Sequence, residues 1–394
     1  MKKISDIFNR IIPFTSKIHL AVVYVEYDRK KNPSSDQVFS LLQKYLSVIQ
    51  KCRITYLRVD NKHENLPFSK IDDSVYQVGG DNRFREFSGW QRGREVLDSM
   101  GCAYNVLLIT NEMFLKPGPS FLQDYASHQL LERALHGRAT IGRIDSCFKE
   151  FELFGYDVSH WVCTNCVVIP RPAVDALVNF VLMNDNLHEI LPRQYPPGHL
   201  LARHFLQPDP QSGQFSLAID IETPHGQETE VRVKFNANTF KGESRIAQLK
   251  EILVNGIPLP PESFLRGITQ NDSGALHANE TLLLALPKMD AAPASLAITG
   301  TVRPELCKKF ESVPSVMIYN DTKLFQPDAA INRVYQRWIV EWLTERWHSR
   351  FDLSSETWEL FKTKAAAIFN EALLTAKFKE LGYPPESYGD RKYY

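Results

Sequence analysis

The residues best suited to chemistry lie in one stretch of the sequence, between Gly79 and Phe114. A polar, glycine-flanked loop precedes a predicted helix, and an apolar strand is expected over residues 105–110. Asn111 and Glu112 follow this strand directly. Open α/β sheets bind phosphorylated ligands at the carboxyl ends of buried strands, where loops supply hydrogen-bond donors. The stretch therefore predicts a site for a phosphorylated ligand, and a nucleotide sugar is the class we expect.

The loop carries side chains expected to contact that ligand. Asp81 and Asn82 offer oxygens for ribose hydroxyls, whereas Arg83 and Arg85 carry guanidinium groups that suit phosphate. An N-capping cluster for the following helix is the alternative interpretation, and the two roles are compatible. We expect Trp90 to lie in the core rather than to stack on a sugar.

Further candidates stand at the ends of predicted strands. Tyr24 and Glu26 end the first strand and Asp60 and Asn61 follow the second, at positions that contact base and ribose in such folds. Glu112 is the candidate ligand for Mg²⁺ or Mn²⁺, which would neutralise the charge that builds on a leaving diphosphate. A solvent-exposed loop carboxylate is the alternative for Glu112, and a metal-independent site stays open.

If the ligand is a nucleotide sugar whose sugar passes to an acceptor hydroxyl, an inverting reaction needs a general base opposite the leaving group. The titratable groups in the segment expected to flank the acceptor are Asp145, Asp157 and His160, and we rank His160 and Asp145 first. A structural, hydrogen-bonded histidine is the alternative for His160. Cys163 and Cys166 lie three apart on a strand and point to opposite faces, so we expect buried thiols rather than a zinc site.

Alternating strands and helices are expected to position these residues. Apolar strand patterns begin at Ile18 and at Arg53, and helix patterns cover residues 35–50 and the segment after Trp90. Strand patterns at 139–144 and 160–170 follow. This alternation is typical of a parallel sheet with right-handed crossovers. The first part of the chain is therefore predicted to be α/β.

The second half has a different pattern. Short strand runs with turn signals, such as Asn255-Gly256, begin near residue 210 and predict an all-β, β-sandwich-like domain. Helical patterns return after residue 323, and Gly382 ends the last helix. We expect a nucleotide-sugar-binding domain over 1–209, an inserted β-sandwich domain over 210–322, and helices over 323–394 that pack on the first domain.

Composition narrows the class of protein. The 46 Lys and Arg residues balance 46 Asp and Glu residues, so no overall field attracts nucleic acid. Six scattered cysteines favour a reducing cytoplasm. Residues 1–13 have an amphipathic pattern, for which docking on the protein itself is preferred over a peripheral membrane contact. No stretch approaches the roughly 18 apolar residues that a membrane span requires.

Several blocks occur in an order that resembles a known family. The first is Asp81–Trp90 with Gly93 after it, the second runs from Tyr104 to Asn111-Glu112-Met113, and the third is His160–Cys166. The last is the helix FKTKAAAIFNEALLTAKFKELG. Together they resemble bacterial glycosyltransferase-like proteins of the rhamnan synthesis protein F type, which act in O-antigen and capsule biosynthesis. The resemblance covers roughly residues 20–207 and 330–382.

The resemblance implies a GT-A-like, Rossmann-type sheet and sugar transfer from a nucleotide-sugar donor to a lipid-linked glycan acceptor. It adds Asn111, Thr164 and Asn165 to the substrate-binding candidates. It also implies a cytoplasmic enzyme peripheral to the inner membrane, in contact with polysaccharide-assembly proteins. Asn111-Glu112-Met113 stands where the family has Asn-Asp-Ser. An inactive scaffold that binds glycan or a partner protein is therefore the alternative function.

Overall fold

The computed structural model describes residues 18–26, 35–115, 127–184, 186–196, 201–204, 208–221, 229–235, 245–288, 294–310, 316–319, 324–343 and 353–387. The amphipathic segment predicted at residues 1–13 lies outside these ranges. The chain folds as two compact units, Met1–Asp185 with Thr363–Tyr394, and Asn186–Lys362. The domain boundaries expected at residues 209 and 322 stay a prediction.

The first unit is built on a mixed sheet, so the α/β class is confirmed at this level. The strands of the unit are β1 (Ile18–Glu26), β2 (Cys52–Asp60), β3 (Ser69–Lys70), β4 (Val75–Gly79), β5 (Val106–Asn111), β6 (Thr140–Ser146), β7 (Glu152–Leu153), β8 (Tyr156–Asp157), β9 (His160–Pro170) and β19 (Pro385–Ser387). The sheet order is β19-β6-β9-β5-β1-β2-β4-β3, and β7 pairs with β8 separately.

Strand direction differs from the all-parallel expectation at β9 and β3. Parallel pairs join β1 to β2 and β5, β2 to β4, and β6 to β19. In contrast, β9 is antiparallel to both β5 and β6, and β3 is antiparallel to β4. The link from β6 to β9 holds the small β7–β8 hairpin where a parallel return would need a longer crossover, usually a helix.

Helices cover both faces of the sheet. Helices α1 (Ser35–Leu46) and α3 (His128–Gly137) share one hydrophobic core with alternate β1 residues, including Leu20 and Val22. Helix α2 (Glu86–Ser99) packs on the other face of β1 and β2. Its residue Gly93 faces Val23, because a Cβ on Gly93 would lie 2.4 Å from Val23 Cγ1.

Helices α4 and α7 both end near residues with positive φ. Helix α4 (Arg171–Leu177) ends before Val178, which has φ 63° and leaves the helical region. Helix α7 (Trp358–Glu380) is buried over most of its circumference from residue 364 to 378. Gly382, at φ 81°, follows its end, as the sequence predicts.

The second unit contains one antiparallel sheet. Its strands are β10 (Leu201–His204), β11 (Gln214–Ile221), β12 (Thr229–Phe235), β13 (Ala247–Val254), β14 (Ile257–Pro258), β15 (Phe264–Gln270), β16 (Leu276–Leu286), β17 (Ala294–Val302) and β18 (Val316–Tyr319). Helices α5 (Leu187–Ile190) and α6 (Arg333–Glu341) belong to the same unit.

This sheet differs from the two packed sheets of the predicted β-sandwich. The long strand β16 pairs with β13 near its start and with β12 further along, so it joins strands that would otherwise divide between two sheets. The resulting half-barrel encloses its own apolar core. The predicted Asn255-Gly256 turn is confirmed, since both residues have positive φ and link β13 to β14. No helix in the described ranges is long and apolar enough to cross a membrane.

Replacing Gly93 by alanine should destabilise the first unit. The added Cβ would meet the buried Val23 side chain, and overpacking of this kind costs about 1–3 kcal/mol, more than the helix propensity of alanine returns. We expect a net loss of roughly 1–2 kcal/mol in urea unfolding. The matched control is Gly137→Ala, where a Cβ meets nothing within 4 Å. Equal stability of the two variants would contradict this packing.

Candidate functional site

Strand register brings most of the predicted strand-end residues to one edge of the sheet. Glu26 pairs with Asp60, Val25 with Asn111, and Asp60 with Gly79. This is the carboxyl edge of β1, β2, β4 and β5. Because β2 and β5 flank β1 on opposite sides, the strand order reverses at β1, and ligands of open α/β sheets bind at such a point.

Two acidic side chains at this edge are already engaged with the protein. Glu26 is 4% exposed and accepts a 2.6 Å hydrogen bond from Arg58 Nε, and Arg58 Nη2 also binds Asp36 at 2.8 Å. Asp60 is 4% exposed and accepts from Lys62 N and His63 Nδ1. Both carboxylates therefore organise the edge before any ligand binds.

Tyr24 lies on the covered side of the sheet instead of facing the edge. Its side chain is fully buried, and its ring centroid is 5.5 Å from that of Phe39 on α1. Side chains alternate along a strand, so Tyr24 and Glu26 share the face that α1 covers. Trp90 is also buried, as predicted, and donates from Nε1 to Thr110 O at 3.1 Å.

The loop before α2 adopts an unusual backbone. Asn82 and Arg85 have φ values of 53° and 57°, a region that costs about 1 kcal/mol or more for residues other than glycine. Asp81 Oδ1 accepts from Arg83 N at 2.9 Å, and Asn61 Nδ2 donates to Arg85 O at 2.8 Å. Burial lowers the pKa of Arg85. Helix α2 begins after Arg85 without a side-chain cap hydrogen bond, so the N-capping cluster considered as an alternative does not form.

The predicted metal ligand follows β5 directly. Glu112 is the first residue of a 3-10 helix, Glu112–Leu115, and is partly buried. The preceding Asn111 is 8% exposed and accepts a 3.0 Å hydrogen bond from Met113 N. No described His, Cys, Asp and Glu side chains form a group of three suited to a metal ion. One carboxylate nevertheless fits Mg²⁺, which takes most of its ligands from water and substrate phosphates.

The first half of β9 extends beyond the end of β5. The last pair between these strands is Thr110 with Cys166, so residues 160–165 lie past it. Helix α7 binds this overhang: Thr375 Oγ1 accepts from Val162 N at 2.9 Å, and Glu371 Oε1 accepts from Thr164 N at 2.7 Å. Glu371 is therefore held beside the end of the central strands, and Thr164 serves as its partner.

Glu371 is a carboxyl group of this edge with a raised pKa. Burial raises its pKa to about 7, the hydrogen bonds from Thr164 oppose the rise, and the charges of Glu86 and Asp145 add to it. Thr164 Oγ1 donates to the same Oε1 atom at 2.9 Å. Among the described residues, Oε2 has no hydrogen-bond partner. The group is partly exposed and suited to exchange a proton near neutral pH.

The strands β6 and β9 add further polar groups to this position. Arg143 Nη2 lies 3.4 Å from Asp145 Oδ2, and Arg143 Nε donates to Cys163 Sγ at 3.3 Å. Burial raises the pKa of Cys163 to about 12, so it is a thiol. His160 is exposed at the start of β9, opposite Ser146.

The remaining predicted residue and the two cysteines have structural contacts. Asn165 O accepts from Thr110 Oγ1 at 2.6 Å, which ties β9 to β5 at the carboxyl edge. Cys163 and Cys166 are both buried thiols that form no disulfide with a described residue, and their burial is as expected. Cys166 belongs to the core beneath α1 and α3, whereas Cys163 contacts Arg143.

Glu371 and Arg143 were missed as site residues by the sequence analysis. Glu371 stands in the helix sequence IFNEALL, where a polar pair interrupts an otherwise apolar segment. Such a pair in a helix buried on most sides is a signal for a functional or clamping role. Arg143 has no comparable signal, because its contacts depend on the antiparallel pairing of β6 and β9.

Comparison with known proteins adds no assignment: no protein-family model matches the chain, and no curated protein matches it. The resemblance described above therefore stays an expectation, and function is argued from the site alone.

Replacing Glu371 by glutamine should change how stability depends on pH. The pKa is about 7 in the folded protein against an ordinary value of 4.5. The folded protein thus keeps a proton that the unfolded chain has lost, and its stability falls as pH rises from about 4.5 to 7. Glu371→Gln should remove this part of the fall, on the order of 2 kcal/mol after allowance for solvent screening.

Urea unfolding at pH 5 and pH 8 measures this difference. Glu359→Gln, an exposed carboxylate on the same helix, is the matched control and should keep the wild-type pH dependence. A Glu371→Gln profile parallel to wild type would show that Glu371 ionises normally.

Proposed function

We propose that the protein is a glycosyltransferase that moves a sugar from a nucleotide-sugar donor to a lipid-linked glycan in bacterial surface-polysaccharide biosynthesis. The observation that carries the proposal is the convergence of Asn111, Glu112, Thr164, Asp145 and Glu371 around the carboxyl ends of β5 and β6. In this proposal the donor lies across the strand ends at β1 and β5. The site of action is the cytoplasmic side of the inner membrane.

The fold supports this proposal at the level of its class. The order β4-β2-β1-β5, followed by the antiparallel β9, is compatible with a GT-A-like sheet. The glycine-flanked loop and the amino terminus of α2 lie after β4, at the same edge as the end of β1. A helix amino terminus and its backbone N–H groups favour an anionic ligand.

The chemistry assigns roles to the residues at the edge. In an inverting transfer, the acceptor hydroxyl gives its proton to a carboxylate as its oxygen bonds to the anomeric carbon. The bond from that carbon to the diphosphate breaks, and the electron pair leaves with the nucleoside diphosphate. Glu371 suits the base better than His160, because hydrogen bonds from Thr164 N and Oγ1 fix its orientation, whereas His160 is exposed at the start of β9. Asp145 lies beside Glu371.

Mg²⁺ or Mn²⁺ would be held by Glu112, and when bound it would neutralise charge on the leaving diphosphate. Arg85 and the amino terminus of α2 are two of the protein's positive groups near that edge. A second candidate function, an inactive scaffold that binds glycan or a partner, is favoured by the structural engagement of Glu26 and Asp60 in protein contacts.

A panel of donors tests the proposal. Calorimetry with UDP-, GDP-, dTDP- and CMP-sugars and Mn²⁺ should show binding of at least one nucleotide class. Glu112→Ala should weaken the Mn²⁺-dependent binding at least tenfold, because it removes the one protein carboxylate placed for the metal. The control variant Glu359→Ala removes an exposed glutamate in the other unit and should bind normally.

The outcomes separate the two functions. Binding and turnover of a donor support the transferase. A folded protein that binds no donor in the panel would contradict it and leave the scaffold function. Full metal-dependent binding by Glu112→Ala would remove Glu112 from the site.

A further inference from the structure

A polar cleft in the first unit lies beside the strand-end site. Its walls are the loop from Gly79 to Phe84, the outer side of α2, and a segment spanning residues 179–184. The cleft has a volume of about 470 Å³, within the range of small-molecule sites. The strand-end residues Asp60, Asn111 and Glu371 do not line it. It is therefore a separate place for a ligand.

The loop wall of the cleft is fixed before any ligand arrives. Gly79 N donates to Leu66 O at 2.9 Å, and Gly80 N donates to Asp60 O at 3.0 Å. Neither glycine can be replaced without a clash, since a Cβ would lie 2.1 Å from His63 O at the first position and 2.2 Å from Asn61 Oδ1 at the second. Both positions therefore require glycine because the loop backbone lies close against residues 59–64, and this packing holds the loop in place.

The opposite wall is held by side-chain amides. Gln91 Oε1, on α2, accepts from Phe180 N at 3.0 Å. Asn370 Oδ1, on α7, accepts from Leu182 N at 2.7 Å and from Met183 N at 2.9 Å. These bonds fix the segment that carries Val181 across from the loop. A preformed cleft loses little conformational entropy when it binds a ligand.

The charges of the cleft favour a neutral ligand over a phosphate. Its lining includes three carboxylates, Glu64, Asp81 and Glu95, and two guanidinium groups, Arg83 and Arg92. The lining of the cleft therefore has one excess negative charge. Arg92 Nη1 lies 3.9 Å from Glu95 Oε2. A polyphosphate would meet repulsion here. Carboxylate, amide and guanidinium groups together offer the paired acceptors and donors that sugar hydroxyls require.

We propose that this cleft binds a neutral glycan chain. Calling the cleft an acceptor-binding site rests on the proposed transferase function, whereas the proposal that the cleft binds a glycan does not. Loop 79–84 then separates two ligands: the nucleotide at the strand ends and the glycan beside α2. The cleft would hold sugar units of the acceptor beyond the reacting one.

Amide NMR on the full chain tests the proposal, with neutral oligosaccharides of rhamnose, mannose, galactose and glucose as probes and UDP as the comparison. A neutral oligosaccharide should shift the signals of Gln91 and Glu95, in the middle of α2, and of Val181 on the opposite wall, and UDP should not. Arg92→Ala and Glu95→Ala should each weaken the glycan affinity at least fivefold. Arg53→Ala, an exposed arginine outside the cleft, is the matched control and should bind as wild type.

The result also distinguishes this proposal from the transferase function. If oligosaccharides bind and no donor binds, the cleft stands and the transferase fails. If a donor binds while no oligosaccharide shifts the cleft signals, the cleft proposal is overturned. Shifts of these signals by UDP or inorganic phosphate alone would overturn it too, because the cleft would then belong to the nucleotide.

Discussion

The hydrogen bonds from Thr164 to Glu371 join the two parts of the chain that build the candidate site. Strand β9 extends past β5, and a strand end with unpaired N–H groups in a buried position would cost free energy. Helix α7 removes that cost by presenting Thr375 and Glu371 to Val162 and Thr164. The same contacts place a carboxylate at the carboxyl edge of the sheet. The same contacts therefore satisfy the backbone N–H groups of β9 and fix the position of the Glu371 carboxylate.

A second constraint follows from the charges around this carboxylate. Glu86, Asp145 and Glu371 lie close enough that the first two raise the pKa of the third, and Arg143 is the nearby cation. Burial also raises the pKa of Glu86. Carboxyl groups that share a site resist simultaneous ionisation. Glu371, with its pKa raised to about 7, is therefore partly protonated at neutral pH.

The sequence predicts the elements with continuous apolar patterns and misses those whose contacts depend on tertiary pairing. Strands β1, β2, β5 and β9 are predicted within about two residues because buried runs end at polar residues. Strand β4 was missed because VYQVG is short and half-exposed at Tyr76 and Gln77. The direction of β9 depends on the hairpin before it. Tyr24 was predicted to bind the ligand because the sequence does not show which face of the sheet α1 covers.

The loop between β4 and α2 has a different role in this structure from the one its residue types suggest. Two arginines beside glycines indicate phosphate, yet Arg83 faces a cleft in which carboxylates outnumber guanidinium groups. Arg85 is partly buried and has a lowered pKa, so its charge is held close to the start of α2 rather than offered to solvent. The loop's left-handed residues turn these neighbouring side chains toward different surroundings. One short segment can therefore contact an anionic ligand on one side and a neutral ligand on the other. The conformation of its backbone, rather than its composition, determines the surroundings of each side chain.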